Sequence, residues 1–308
     1  MMPQPLVISV ILNTNRRTET LECLDSLHRN SYRNHKIIVL DNHSTDGSVT
    51  AIREAFPGVE IIELTENLGY AGNNNVGIEA AMRTGADWIF VLNEDIVLDE
   101  NCIEALVALG QSDEKIGGVG PLVYHHNEPD YIQTAGGMLR SDWDTWHIAQ
   151  NEKDRGQVTE PRNVDFISGC AIMVRRDAIK RVGAIDARFF YYKEETEWCF
   201  RIRQDGWRIV MTPQAKIWHK GVQRDYHPNP SLMYYKTRNW FLFLMKHKAP
   251  SRVWISAWIQ FLRTIISWSI KPKWRSKRAY RNAMLHGMFD FLRRRWGKMP
   301  SSVDYFVK

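Results

Sequence analysis

An α/β fold with a mostly parallel sheet flanked by helices is predicted by three features of the sequence. Strand-length apolar runs recur at residues 6–12, 36–40, 59–63 and 88–92. Segments with helical spacing separate them. Each run ends in a polar or acidic cluster. Strands alternating with helices favour parallel pairing. Runs that are apolar at nearly every position, above all Trp88, Ile89, Phe90, Val91 and Leu92, suit strands buried on both faces.

Taken in order, the first strand (6–12) leads into a loop with Asn13 and Asn15. Thr18 is placed to cap a helix carrying Leu21, Leu24 and Leu27. The second strand ends in Asp41, Asn42 and a turn where Thr45 or Asp46 can cap a helix over about 47–55. The third strand precedes the Gly- and Asn-rich stretch 66–77, which reads as a loop before a helix through Ile78 to Arg83. The fourth strand ends in Asn93, Glu94 and Asp95. Beyond it, a helix about 100–110 and a strand about 118–124 are expected. Residues 125–163 read as a turn-rich excursion. A strand is predicted over 166–174, helices over 175–182 and 194–204 with Gly206 as a stop, and two short strands at 207–211 and 216–218. Aromatic-rich helices are expected at 233–245 and 253–270. No internal repeat is present.

Composition narrows the class. Hydrophobic residues are 44% and charged residues 25% of the 308, which fits a globular core rather than a disordered chain. Cys23, Cys102, Cys170 and Cys199 form no CxxC pair, so neither a zinc site nor a disulfide framework is suggested, and a reducing cytoplasm is the expected home. The run at 6–12 is too short for a secretory signal and has no basic residue before it. The net charge of +6 conceals a division: residues 231–308 hold 17 Lys and Arg against 2 Asp and Glu, and residues 1–230 hold 24 against 33. Residues 231–308 also carry six of the 12 tryptophans. An acidic body with a basic, Trp-rich end points to an anionic surface as partner.

The polar clusters carry the chemistry. In open α/β sheets, ligands bind beyond the carboxyl ends of the strands. A carboxylate there, such as Asp95, can hold a divalent cation against a diphosphate. In combination, VISVILNTNR, VLDNHSTDGS, ENLGYAGNNNVGI, VLNEDIVL and the long segment FISGCAIMVRRDAIKRVGAIDARFFYYKEETEWCFRIRQDGWRI resemble the family 2 nucleotide-sugar glycosyltransferases of the GT-A fold. The rhamnosyltransferase-like branch is the nearest in pattern. The resemblance covers about residues 6–221 and, more weakly, YYKTRNWFLFL at 234–244.

That resemblance implies roles. Asp41 accepts a hydrogen bond from a uracil or thymine imide. Asn13, Asn15, Asn42 and Asp46 surround the base pocket. Asn67, Gly69, Gly72 and Asn73 meet the nucleotide or its phosphates, and Asn93 and Glu94 belong to the same donor site. Asp95 binds Mg²⁺ or Mn²⁺ with oxygen-rich partners. His219 completes the metal site and tilts it towards Mn²⁺. The strict DxD of the family is absent, since Asn93 and Glu94 precede Asp95. Glu195 falls on the catalytic base, with Glu194 beside it, where the family often has Asp. Gly169 and Cys170, with Trp198, are expected to shape the acceptor side, and Trp198 reads equally well as a core residue.

The reading is therefore an inverting glycosyltransferase using a UDP- or dTDP-sugar, dTDP-rhamnose among them, on a saccharide or lipid-linked acceptor in cell-surface polysaccharide synthesis. Residues 1–230 form the catalytic domain, with the nucleotide-sugar side at about 1–124 and the acceptor side at about 125–230. Residues 231–308 form a helical basic region. The chain is expected in the cytoplasm, peripheral at the inner membrane face, with a homo-oligomer as a further possibility. Trp254, Trp258, Ile265 and Trp268 are the residues expected to reach the acyl boundary, because Gln260 and Arg263 break the run as a spanning segment. A catalytically inactive sugar-nucleotide-binding module is the alternative. Nucleic acid is not expected as a partner, given the acidic body, and a dinucleotide dehydrogenase is not expected because no GxGxxG follows the first strand.

Overall fold

The computed structural model describes residues 4–221, 223–224 and 229–301. Strands β1 (Val7–Asn13), β2 (His35–Asp41), β3 (Glu60–Glu63) and β4 (Trp88–Asn93) pair in parallel, in the order β3-β2-β1-β4. Their side chains alternate between two apolar layers. Ile8, Val10, Ile89 and Val91 meet helix α3 (Gly69–Thr84) on one face. Val7, Ile11, Phe90 and Leu92 meet α1 (Arg17–His28) and α2 (Ser48–Ala55) on the other. Both faces are covered, as the unbroken apolar runs require.

The chain then adds β5 (Ile96–Leu98), α4 (Cys102–Gln111), β6 (Ile116–His125), β7 (Glu128–Thr134), β8 (Gly137–Leu139), β9 (Thr145–His147), β10 (Glu152–Lys153) and β11 (Arg162–Asn163). Next come β12 (Ala171–Arg175), α5 (Arg176–Val182), α6 (Glu194–Gln204) and β13 (Arg208–His219). β12 lies antiparallel between β4 and β6, and β13 runs parallel to β6. The sheet is thus mixed beyond β4.

Several boundaries differ from the sequence reading. Thr18 lies inside α1; the amide of Arg17 is met instead by Asp46, a residue from the next loop. The two strands expected at 207–218 are one strand with a register break between Thr212 and Lys216. The strand expected from 166 begins at Ala171, and Phe166 makes an isolated bridge to Gly137. α3 starts at Gly69, so the Gly/Asn stretch is helical rather than loop. The amide of Leu68 donates to Asn73 Oδ1 and that of Gly69 to Asn67 Oδ1, each at 2.9 Å. Burial against the rest of the fold overrides the low helix propensity of these residues. The four cysteines are free and buried.

The C-terminal region consists of α7 (Pro230–Lys246), α8 (Ser251–Ile270) and α9 (Arg278–Leu292). It shares an apolar cluster with the body, in which Phe241 and Phe243 pack with Phe189, Trp143 and Phe200. Polar contacts reinforce the join. Glu197, fully buried on α6, meets Arg201 at 2.8 Å, Lys246 at 2.7 Å and His247 at 3.0 Å. The boundary expected at 230 therefore separates α7 in sequence from a body with which it shares its interior. Residues 302–308 of the expected basic region lie outside the described residues.

Candidate active site

The parallel register sets Asn13 opposite Asp41 and Leu12 opposite Asn93, so the polar ends of β1, β2 and β4 share one edge of the sheet. Asn13 Nδ2 donates to Asp41 Oδ1 (2.7 Å) and to Ser44 Oγ (3.0 Å), and the amide of Ser44 donates to Asp41 Oδ2 (2.9 Å). Asp41 is buried, and each of its oxygens keeps a lone pair free for a ligand. Asn15, at φ 53°, accepts from the amide of Thr45 and ties the two loops together. Asn42 donates to Thr14 Oγ1, while its own Oδ1 is buried without a partner. Asp46 accepts from the amides of Arg17 and Ser48, fixing the starts of α1 and α2.

The α3 residues are closely packed. Gly69 has φ +75°, and a Cβ there would collide with the carbonyl of Phe190. The amide of Ala71 donates to that same carbonyl at 3.2 Å. Asn75 exchanges two hydrogen bonds with the backbone of Ile185. Gly72 and Asn73 lie in the first turns of α3. Asn73 Nδ2 is buried without a partner on that helix.

At the end of β4, the amide of Asn93 donates to the carbonyl of Cys170 (2.9 Å). Burial, aided by the neighbouring Asp95, pushes the Glu94 carboxyl up to about 7. Burial also opposes ionisation of Asp95, but His219 and backbone amides outweigh it and hold that carboxyl below its ordinary range. His219 Nε2 lies 3.2 Å from Asp95 Oδ1, which is buried with no well-directed hydrogen bond. His219 Nδ1 is 3.0 Å from Gln133 Oε1. In one tautomer Nε2 donates to Asp95, which is what lowers that carboxyl; in the other, with Nδ1 donating to Gln133 Oε1, Nε2 presents a lone pair towards the carboxylate.

In the second tautomer, two lone-pair groups facing one another over 3.2 Å fit a shared divalent cation, with Gln133 orienting the imidazole from behind. Gly221 leaves the space open, since a Cβ there would strike Asp95 Oδ2. Among the described residues no cluster of three or more His, Cys, Asp or Glu forms a closed cage. An ion held here would rely on phosphate and water for the rest of its shell, as Mg²⁺ commonly does.

Glu194 and Glu195 open α6. The turn before them is strained: Phe190, Tyr192 and Lys193 all have positive φ, at 62°, 77° and 71°. α7 holds that turn. Asn239 Nδ2 donates to the carbonyls of Phe189, Tyr191 and Tyr192 at 2.7–2.9 Å. The fully buried Arg238 also donates to Phe189. Burial raises the Glu195 carboxyl above its ordinary range. Glu194 is pushed well up by burial and then by Glu195, and its Oε2 has no partner.

A cavity of about 380 Å³ joins these parts, lined by Asn93, Gly169, Glu194, Glu195 and His219. The Asn13–Asp41 cluster is not part of its lining and sits further along the strand ends, on β1 and β2. Of the two readings for Trp198, the core one holds: it is fully buried and donates to the carbonyl of Gly183. Gln133, Lys193, Arg238 and Asn239 were not singled out by sequence. Their importance depends on contacts across the fold, although RN within YYKTRNW was the one available signal.

Comparison with known proteins agrees with this geometry. The chain is 30% identical over 216 residues to the N-acetylglucosaminyl-diphospho-decaprenol L-rhamnosyltransferase of Mycobacterium tuberculosis, covering 64% of this chain and 70% of that one. It is 25% identical over 255 residues to a dTDP-rhamnosyl transferase of Shigella flexneri, covering 79% and 81%. Among solved structures, a mannosyltransferase from Pyrobaculum calidifontis in complex with GDP-Man and Mn²⁺ matches with a TM-score of 0.59 at 14% identity, covering 94% of this chain and 88% of that one. GalNAc-T7 with UDP, GalNAc and Mn²⁺ matches with a TM-score of 0.60 at 15% identity, covering 78% and 51%. These structures show the GT-A fold. The profile of Glycosyl transferase family 2 matches residues 9–183, and the chain belongs to that family, in its rhamnosyltransferase-like branch.

Proposed function

We propose that this glycosyltransferase is inverting and metal-assisted, and that it transfers a sugar from a UDP- or dTDP-sugar to a saccharide or lipid-linked acceptor. The observation that carries the reading is one cavity lined by both Glu195 and His219, the latter with its Nε2 3.2 Å from Asp95 Oδ1. The acceptor hydroxyl gives its proton to the Glu195 carboxylate as its oxygen bonds the anomeric carbon. The bond from that carbon to the diphosphate oxygen breaks on the opposite face, and the electron pair leaves with the diphosphate. The transition state has oxocarbenium character. Asp95 and His219 would hold a divalent cation, which would supply positive charge to offset the negative charge of the leaving diphosphate. Thr196 Oγ1, donating to Glu195 Oε1 at 3.0 Å, fixes the orientation of the base. Rhamnose is favoured as the sugar by the names of the two relatives. Metal-dependent hydrolysis across a panel of UDP- and dTDP-sugars tests the reading; no turnover with any of them would favour the inactive binding module.

Asp41 is assigned to the base rather than the sugar. Asp41→Ala is expected to weaken free UDP or dTDP by roughly 1.5–3 kcal/mol, the range for a hydrogen bond to a charged group. Calorimetry giving unchanged affinity for both nucleotides would reduce Asp41 to an organiser of its loop.

We also propose a cytoplasmic membrane surface as partner, through a face different from the one the sequence suggested. Trp254, Trp258, Ile265 and Trp268 pack inward on the α7–α9 cluster. The outward stripe of α8 is Ile255, Ile259, Leu262, Ile266 and Ile270, continued on α9 by Leu285, Phe289 and Leu292. Lys271, Lys273, Arg275, Lys277 and Arg278 follow α8 directly. No helix among the described residues is long and apolar enough to cross a membrane. An aliphatic stripe with a basic flank suits an anionic leaflet, each cation near the surface contributing about 1 kcal/mol. Removing the chain after 230 would also remove Arg238 and Asn239, so the test uses surface changes. Ile259→Asp with Ile266→Asp is expected to abolish flotation with vesicles containing anionic lipid, and high salt to weaken the wild type. Undiminished flotation of the double variant would refute this face. A concentration-dependent dimer in light scattering, lost in the same variant, would assign the stripe to a second copy.

A further inference from the structure

A second cavity, of about 180 Å³, lies where α7 and α8 meet the turn before α6. Lys193 lines both this cavity and the one holding Glu195. Its Nζ is buried and has no hydrogen-bond partner. Trp240 lines the same cavity, and its indole Nε1 is also buried and unpartnered. Two orphan donors on one cavity mark a missing acceptor, because native folds rarely leave such groups unsatisfied. Lys236 adds a second cation, its Nζ 5.3 Å from the centre of the Tyr192 ring.

The chemistry of the missing group follows from these donors. A sugar hydroxyl can satisfy the indole but brings no negative charge to the two ammonium groups. Asp144 is the acidic group on the wall, and its Oδ1 already accepts from the amide of Thr145 at 2.8 Å. Asp142, close by, accepts from Gln260 at 2.9 Å. Neither carboxylate comes within ion-pair distance of Lys193, whose Nζ is left without a partner. Burial pushes the Lys193 ammonium down to about 8, opposed by Asp144 and Glu195, so it remains largely charged at neutral pH. The remaining wall is apolar, with Met233, Phe241, Phe261 and Met284.

We propose that this cavity is the acceptor's diphosphate subsite: Lys193, Lys236 and the Trp240 indole hold the diphosphate of a lipid-linked saccharide, and the apolar wall takes its first prenyl units. The inference rests on the glycosyltransferase reading above. It explains why Lys193 faces both cavities: the sugar hydroxyl reaches Glu195 on one side while the diphosphate stays on the other. The aliphatic face of α8 is on the same helix that lines the subsite, so the lipid needs only to cross that helix edge to reach a bilayer.

The test is calorimetric binding of geranyl diphosphate to the full chain saturated with UDP and Mn²⁺, which fills the donor's own diphosphate site. The wild type is expected to bind this probe, and to bind inorganic pyrophosphate at least tenfold more weakly. Lys236→Ala and Lys193→Met are each expected to weaken the probe at least tenfold. Lys193→Met removes a buried unpaired charge and is expected to raise the melting temperature; if it fails to fold, Lys236→Ala carries the test. No binding of the probe under UDP saturation, wild-type affinity in the variants, or equal affinity for pyrophosphate would each overturn the subsite. Donor hydrolysis by the wild type is measured separately, so a failed subsite and a failed glycosyltransferase reading give different results.

Discussion

Glu195→Gln is expected to lower sugar transfer by roughly 10²–10⁴-fold, the usual contribution of a positioned general base. Gln keeps the size and can still accept from Thr196 Oγ1, so the geometry of α6 should survive. UDP affinity should change little, because the nucleotide cluster around Asp41 is separate from Glu195. Burial raises the Glu195 carboxyl, which adds two signs to check. Transfer requires the carboxylate, so wild-type activity should fall as pH drops through this raised value, above the ordinary carboxylate range. Stability should move the other way. A carboxyl with a raised folded-state value binds its proton more tightly folded than unfolded, so the fold loses stability as pH rises through that range. Glu195→Gln removes this cost, and its melting temperature at neutral pH should exceed that of the wild type. Transfer within a few fold of wild type would move the base elsewhere, Glu194 being next in line with its unpartnered Oε2.

What the sequence made legible follows from which contacts are local. Period and run length sufficed for β1, β2 and β4, because each of these strands is apolar on both faces. The start of α6 at Glu194 matched its acidic first turn. The register then brings Asn13, Asp41 and Asn93 to one edge, as the polar ends of adjacent parallel strands must be. The Asn-rich start of α3 was not legible, since side-chain capping and burial decide it. α8 was misread in orientation for a related reason. It carries an aromatic stripe and an aliphatic stripe one residue apart, and periodicity cannot choose between them. The choice is made by Phe241 and Phe291, which draw Trp254 and Trp258 inward. Asn239 shows the limit most clearly. It sits 44 residues beyond Glu195 in number, and holds three carbonyls of the strained turn that delivers the glutamate.

Asp95→Ala is expected to lower metal-dependent turnover on the order of 10²–10³-fold, the size of losing one pre-organised electrostatic contact. The reason lies in what surrounds the carboxylate. Asp95 follows β4 rather than lying within it, and its Oδ1 makes no well-directed hydrogen bond, so the fold loses little with it. Gln133 still orients His219, leaving a single ligand where two faced each other. Mn²⁺ affinity, read by paramagnetic resonance in the absence of any donor sugar, should therefore weaken along with turnover. The Glu94 carboxyl gives a further readout. Burial is the larger cause of its position near 7 and Asp95 the next, so removing Asp95 should let Glu94 ionise at lower pH while leaving it above the ordinary carboxylate value. Turnover and Mn²⁺ affinity both at wild-type level would detach Asp95 from the metal. Lost turnover with unchanged Mn²⁺ affinity would instead make the aspartate an orienting partner of His219, acting on the imidazole rather than on the ion.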